Sequence, residues 1–307
     1  VRSKGRGGTG LVHSDTGVGC VAGPGQFGAP AFLPGRRVRT DGSRRSLEEG
    51  WPVMASIVKV YPDLHTWTEA AAAEITELVK AAVAAKGFAV VGLSGGRTPV
   101  AVYQRLTQSP WREAFPWSKI YWLWVDERWV PPDHTDSNYG SAWKAMLSKV
   151  PIDGAKVHRM LTEGMAPHEA AAAYEEKLRK LFQLQGSGID LAVLGMGTDG
   201  HTASLFPGSP ALTEATRWIA ATESPAGIRR RITMTLPLLY EVETLLFLVA
   251  GADKKNVLDA VIHGGPSAQE YPAGKAMAAK QTIWIIDDEA AGVKTPDGKN
   301  NQPTAEV

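Results

Sequence analysis

The chain has 307 residues, with 33 lysines and arginines against 32 aspartates and glutamates, so its formal net charge is only +1. A chain of that length can bury a full core unaided, and its charge balance gives no reason to expect nucleic acid or an acidic membrane as partner. The single cysteine, Cys20, excludes a disulfide within the chain, and the seven histidines show no metal-ligand spacing. No apolar run reaches the roughly 18 residues of a membrane span. The expectations are no metal, no nucleic acid, no membrane and a cytoplasmic location.

Residues 1–53 are rich in Gly and Arg and lack helical or strand periodicity. Their eight basic and four acidic residues give +4, which leaves −3 for the remainder. Such a stretch buries too little apolar area to offset its ordering entropy and is expected to be a disordered or non-native extension. A basic arm or a transit peptide is the alternative, although no amphipathic helix is visible. The folded unit is expected at residues 54–288, followed by a flexible polar tail at 289–307.

From Met54 onward strands and helices alternate. Ile57–Tyr61 reads as a strand, and Thr66 with Glu69 reads as a capping box opening a helix. Trp67, Ala71, Ile75, Leu78 and Ala82 share one face of that helix. Phe88–Leu93 and Ile120–Val125 are continuous apolar runs of the kind found in buried parallel strands. Val100–Leu106, Ser137–Leu147 and His168–Leu184 read as helices, with Ile189–Leu194 as a third buried strand. Arg217–Ala221 and Ile232–Thr235 are shorter strands. Leu245–Val249, a helix over Asp253–Ile262 and a strand over Thr282–Ile286 complete the series. This alternation implies a doubly wound, Rossmann-like α/β fold: a mostly parallel sheet with helices on both faces. Ligands of such sheets bind at the carboxyl ends of the strands.

Five segments with unusual chemistry fall at those ends. Ser94-Gly95-Gly96-Arg97-Thr98-Pro99 places two glycines before a helix start, with Thr98 as N-cap and Pro99 at the first helical position. It offers backbone N–H groups to an anion, or else is a plain tight turn. It matches neither nucleotide-loop pattern, so ATP and NAD are not indicated. Asp126-Glu127-Arg128 follows a buried strand. Arg128 is suited to gripping a phosphate, and Asp126 and Glu127 to orienting it or binding sugar hydroxyls, unless all three face water. Gly195-Met196-Gly197-Thr198-Asp199-Gly200-His201 is a glycine-rich turn carrying a histidine. An imidazole titrates near neutrality and can take a proton from water, with Asp199 able to fix its tautomer. Otherwise His201 caps a helix or bonds a carbonyl. Lys254, in Gly251-Ala252-Asp253-Lys254, adds a point charge to a phosphate or is an ordinary helix-start lysine. Arg229-Arg230-Arg231 reaches the same crevice or lies on a solvated edge.

Together these segments resemble the 6-phosphogluconolactonase family. The resemblance runs from about Met54 to Ile286 through Ser94–Pro99, Asp126–Arg128, Ser137-Asn138-Tyr139, Gly195–Gly208, Arg231–Thr233 and Gly251–Lys254. Its most specific string is Asp199-Gly200-His201-Thr202-Ala203-Ser204-Leu205-Phe206-Pro207. The resemblance implies cofactor-free hydrolysis of 6-phosphogluconolactone to 6-phosphogluconate in the oxidative pentose phosphate pathway. It assigns His201 as the water-activating base and Asp199 as its orienting neighbour. Arg128 and Lys254 become the phosphate grip, with Gly95, Gly96 and Thr98 lining the pocket and Arg231 and Asn138 as further substrate-binding residues. The expected partner is a sugar-phosphate lactone, and the expected assembly a monomer or weak homo-oligomer.

Two rivals stand beside this reading. Glucosamine-6-phosphate deaminases are similar at the glycine loop and at Asp-Gly-His. They typically continue Ile-Ala-Phe-Asn-Glu, where this chain has Thr202-Ala203-Ser204-Leu205-Phe206 and so lacks a carboxylate. A non-catalytic sugar-phosphate sensor would not need His201 and Asp199, and no DNA-binding helix pair is recognisable.

Overall fold

Continuous apolar runs form the centre of the fold, as their sequence requires. In the computed structural model, which describes residues 36–38 and 55–293, β3 (Ala89–Leu93), β7 (Leu191–Leu194) and β10 (Thr244–Val249) are buried at every position. They belong to an eight-stranded sheet ordered β1-β2-β11-β10-β7-β3-β4-β6. The other members are β1 (Arg36–Val38), β2 (Ala55–Tyr61), β4 (Ile120–Trp124), β6 (Val157–His158) and β11 (Gln281–Asp287). All pairings are parallel except β1 with β2, which is antiparallel. In register across β10 and β11, Phe247 stands beside Trp284, and their rings stack at 3.9 Å.

The helices between the strands cover the sheet. α1 (Leu64–Lys86) buries Trp67, Ala71 and Ile75, while Leu78 and Ala82 pack partly buried against the core. Trp67 is wholly enclosed and donates its indole N–H to the Ile285 carbonyl at 2.9 Å. Its burial contributes on the order of 3 kcal/mol to the docking of α1. The expected cap is displaced: Asp63, not Thr66, is the N-cap, and its carboxylate accepts the Thr66 N–H at 2.7 Å. Glu69 instead bonds Arg105 and the Trp111 indole. Gly87, at φ 87°, ends the helix in the left-handed region. The remaining helices are α2 (Arg97–Leu106), α3 (Trp111–Ala114), α4 (Asn138–Ala145), α5 (Pro167–Gln185), α6 (Leu236–Glu241), α7 (Lys255–His263), α8 (Pro272–Lys275) and α9 (Asp288–Ala291).

The shorter expected strands do not join the large sheet. β8 (Ile219–Glu223) and β9 (Arg230–Met234) pair with β5 (Asp126–Arg128) in a separate antiparallel sheet ordered β5-β9-β8. β5 runs on almost directly from the apolar β4 through Val125, so periodicity alone did not separate the two sheets.

The described residues all belong to one compact unit. Of the expected 1–53 extension only Arg36–Val38 is described, as the edge strand β1; the rest, and residues 294–307 of the expected tail, lie outside the described residues. Asp288–Ala291 forms α9, capped by the Asp287 carboxylate on the Ala290 N–H at 2.8 Å. Among the described residues no helix is long and apolar enough to cross a membrane.

Candidate active site

From β3 the chain steps to β4 on one side, whereas from β7 it steps to β10 on the other. The carboxyl ends of the neighbours β3 and β7 therefore flank the topological switch point, where loops diverge and leave a crevice. The loop after β7 carries His201. Its Nδ1 lies 2.6 Å from Asp199 Oδ1, and the same oxygen accepts the His201 backbone N–H at 3.1 Å. Burial raises the Asp199 carboxyl, but the hydrogen bonds and charge of His201 outweigh it and hold the group below its ordinary value. An ionised carboxylate only accepts, so Nδ1 carries the proton and Nε2 keeps its lone pair. Gly197 makes this pair possible: a Cβ there would fall 2.1 Å from His201 Nδ1 and 2.6 Å from Asp199 Oδ1. Phe206 backs the imidazole, with ring centroids 4.7 Å apart.

The turn just beyond His201 is strained and strapped. Ala203 adopts φ 50°, a left-handed conformation that a residue with Cβ holds only when its surroundings impose it. Thr202 Oγ1 donates to the Gly195 carbonyl at 2.9 Å. Ser204, fully buried, donates its hydroxyl to Asp126 Oδ2 at 2.7 Å and its backbone N–H to Thr233 Oγ1 at 3.1 Å.

Asp126 and Glu127 are turned inward, 4% and 2% exposed, so the solvated-loop alternative is excluded. Nor do their carboxylates hold the Arg128 guanidinium. Asp126 Oδ1 accepts Asn138 Nδ2 at 2.9 Å. Glu127 receives the backbone N–H groups of Arg128, Asn138 and Tyr139 at 2.7, 2.7 and 2.8 Å, and the Ser137 hydroxyl at 3.1 Å. It thereby fixes the start of α4, whose N-cap is Ser137. Burial pushes Glu127 up to about 6 despite those donors, and the Asp126 charge adds to the rise.

Arg128 and Arg231 are direct cross-strand partners in the small sheet. Like charges placed opposite one another repel, and desolvation and Arg128 both depress Arg231 while Asp126 and Glu127 offset part of the cost. Arg128 Nη1 donates to the Asp136 carbonyl at 2.8 Å, and Arg231 Nε to the Ile228 carbonyl at 2.7 Å. Arg128 Nε is buried with no hydrogen-bond partner. Two guanidiniums side by side suit an anion that both can share.

The glycine loop follows β3. α2 begins at Arg97 with Gly96 as its N-cap and no side-chain cap bond, so Thr98 lies inside the first turn rather than capping it. Gly95 is tight against Asn138: a Cβ would fall 1.7 Å from Asn138 Oδ1. Asn138 is thus brought to the glycine loop, but its Nδ2 is committed to Asp126, while Oδ1 is buried without a partner. Lys254 stands in a 3-10 turn at the end of β10, next to β7, with its ammonium 3.1 Å from Asp253. Asp287 steadies that turn by accepting the Gly251 N–H at 3.1 Å. The functional spans of Asp126, Ser204, Thr233 and Asp287 went unread because hydrogen bonds over long sequence separations leave no local pattern. Among the described residues no group of three or more His, Cys, Asp or Glu side chains stands together as a metal site.

A family profile described as glucosamine-6-phosphate isomerases/6-phosphogluconolactonase matches residues 62–284. A 6-phosphogluconolactonase of Synechocystis is 38% identical over 240 residues, covering 77% of this chain and 98% of that protein. One from Mycobacterium tuberculosis is 36% identical over 245 residues, covering 78% and 98%. The crystal structure of 6-phosphogluconolactonase from Thermotoga maritima superposes with TM-score 0.66 at 28% identity, covering 76% of this chain and 99% of that one. The Trypanosoma brucei 6-phosphogluconolactonase does so with TM-score 0.66 at 26% identity, covering 78% and 98%. With a profile match over most of its length and relatives matched almost end to end, the chain belongs to the glucosamine-6-phosphate isomerase/6-phosphogluconolactonase family.

Proposed function

We propose that this protein hydrolyses 6-phosphogluconolactone to 6-phosphogluconate, serving the oxidative pentose phosphate pathway in the cytoplasm. The observation that carries the reading is the His201–Asp199 pair at the switch point, 2.6 Å apart. His201 Nε2 takes a proton from a water as that water attacks the lactone carbonyl, and Asp199 stabilises the imidazolium that forms. The tetrahedral intermediate collapses by breaking the ring C–O bond, and the proton on His201 goes to the departing ring oxygen. Arg128 and Arg231 hold the phosphate, with Lys254 adding charge from the end of β10. Gly95, Gly96 and Thr98 line the pocket, and Asn138 shapes its wall. Fixing the phosphate supplies orientation, which lowers the barrier without further chemistry at that end.

The isomerase side of the family is disfavoured by the residues after His201. Ser204, Leu205 and Phe206 are buried, and none of the three carries a carboxylate of its own to open a sugar ring. The catalytic unit is residues 54–288, with 1–53 an extension and 289–307 a tail, acting as a monomer or weak homo-oligomer. The test is to give the purified chain 6-phosphogluconolactone and glucosamine 6-phosphate side by side. Lactone hydrolysis above the spontaneous rate with no ammonia release is expected; the converse refutes the reading.

A further inference from the structure

Ser204 lies three residues after His201 and is held by the small sheet through its hydroxyl and its backbone N–H. Its hydroxyl goes to Asp126 on β5 and its backbone N–H to Thr233 on β9. Those two anchors are themselves cross-strand partners. Two positions along the same strands sit Arg128 and Arg231, again partners. Strand alternation puts residues i and i+2 on one face, so the sheet carries two successive rows: Asp126 with Thr233, then Arg128 with Arg231. The rows are about 7 Å apart, two residues of strand rise.

The burial of Asp126 is not explained by local structure. Asp126 is a buried carboxylate whose oxygens receive only the Asn138 amide and the Ser204 hydroxyl. Like the buried Glu127 and Asp287, it forms no salt bridge among the described residues, and its hydrogen bonds come from neutral donors. The strained Ala203 sits between His201 and Ser204, so the turn would relax if Ser204 were released. A costly buried charge and a strained turn both persist at one link, and that link joins the histidine turn to the strand carrying the arginines.

We propose that Asp126 and Thr233 are positioning residues. By holding Ser204 they fix the His201 turn at a set distance from the Arg128–Arg231 pair, and the small sheet thereby acts as a spacer matched to one class of substrate, a lactone whose phosphate lies a fixed distance from its carbonyl. This rests on the functional reading above. A phosphate-anchored lactone cannot follow the base if the base moves, whereas an unanchored lactone can shift to meet it.

The test uses the full chain and three variants: Ser204→Ala, Asp126→Asn and the near-isosteric Thr233→Val. Each is assayed on 6-phosphogluconolactone and on unphosphorylated gluconolactone. The expected result is a fall of about tenfold in kcat for the phosphorylated lactone with KM little changed, and a much smaller loss on the unphosphorylated one. The ratio of the two kcat/KM values therefore shrinks in all three variants. The Ser204→Ala/Asp126→Asn double variant shrinks it no further than the larger single change, because both remove one link. A variant that merely folds poorly lowers both rates together and leaves the ratio intact. An unchanged ratio, or an additive double variant, overturns the spacer. A wild-type chain without turnover of either lactone fails the functional reading itself, and the spacer with it.

Discussion

Replacing Asp199 separates two things a carboxylate does for an imidazole. Asp199→Asn keeps an oxygen able to accept the Nδ1 proton, and the His201 backbone N–H that holds Oδ1 at 3.1 Å still orients it. What disappears is the charge that stabilises imidazolium once the proton has moved. A charge-assisted hydrogen bond contributes about 1.5–3 kcal/mol. The side chains of His201 and Asp199 are 34% and 41% exposed, so water screens the pair and about 1–2 kcal/mol is left. That corresponds to roughly a 5–30-fold loss in kcat, with KM unchanged. Asp199→Ala loses the tautomer lock as well, and a loss on the order of 10²–10³-fold is expected, approaching that of His201→Ala. Initial rates of acid release from 6-phosphogluconolactone, corrected for spontaneous opening, measure all three. Equal losses in the Asn and Ala variants would refute the tautomer role. Full activity in both would refute the pairing altogether.

Three other outcomes are expected. Arg128→Ala should raise KM for the phosphorylated lactone by roughly 10–100-fold, the worth of a charge-assisted contact, and leave the unphosphorylated lactone almost untouched; equal effects on both would remove Arg128 from the phosphate. Glu127 is raised from 4.5 to about 6 by burial, so the folded state holds its proton more tightly than the unfolded one. Its stabilising contribution is present below pH 4.5 and is lost as pH rises through about 6. Relative to Glu127→Gln, the wild type should lose roughly 2 kcal/mol of stability between pH 4 and 7 in urea titrations, and a gain over that window would contradict the burial account. Deleting residues 1–53 should leave kcat/KM within roughly twofold, since no candidate site residue lies there; a large loss would give that segment a catalytic role.

How much of this was legible in the sequence follows from the range of the interactions involved. Buried parallel strands announce themselves locally, so Ala89–Leu93, Leu191–Leu194 and Thr244–Val249 were readable as apolar runs with glycines behind them. The His201–Asp199 contact spans two residues and was also within reach. The N-caps were misread because Thr66 and Thr98 look like caps, yet Asp63 competed better for one helix and the backbone of Gly96 opened the other. Asp126 and Glu127 looked like rim charges because burial of a carboxylate depends on donors that lie elsewhere. Those donors, at Ser137 to Tyr139 and at Ser204, are set by tertiary packing. The same holds for the second sheet, in which β5 joins the β8–β9 hairpin from a distant stretch of chain.

The link between Asp126 and Ser204 closes a loop of 78 residues. During synthesis the arginine-bearing strand is therefore made long before the histidine turn that it must hold, and β9 comes later still. A contact of that separation forms late in folding, because its closure entropy is recovered only when the surrounding core is in place. Turnover is consequently a property of the finished molecule. Activity therefore reports that the link between the small sheet and the histidine turn has closed, which the apolar runs of the large sheet do not by themselves guarantee.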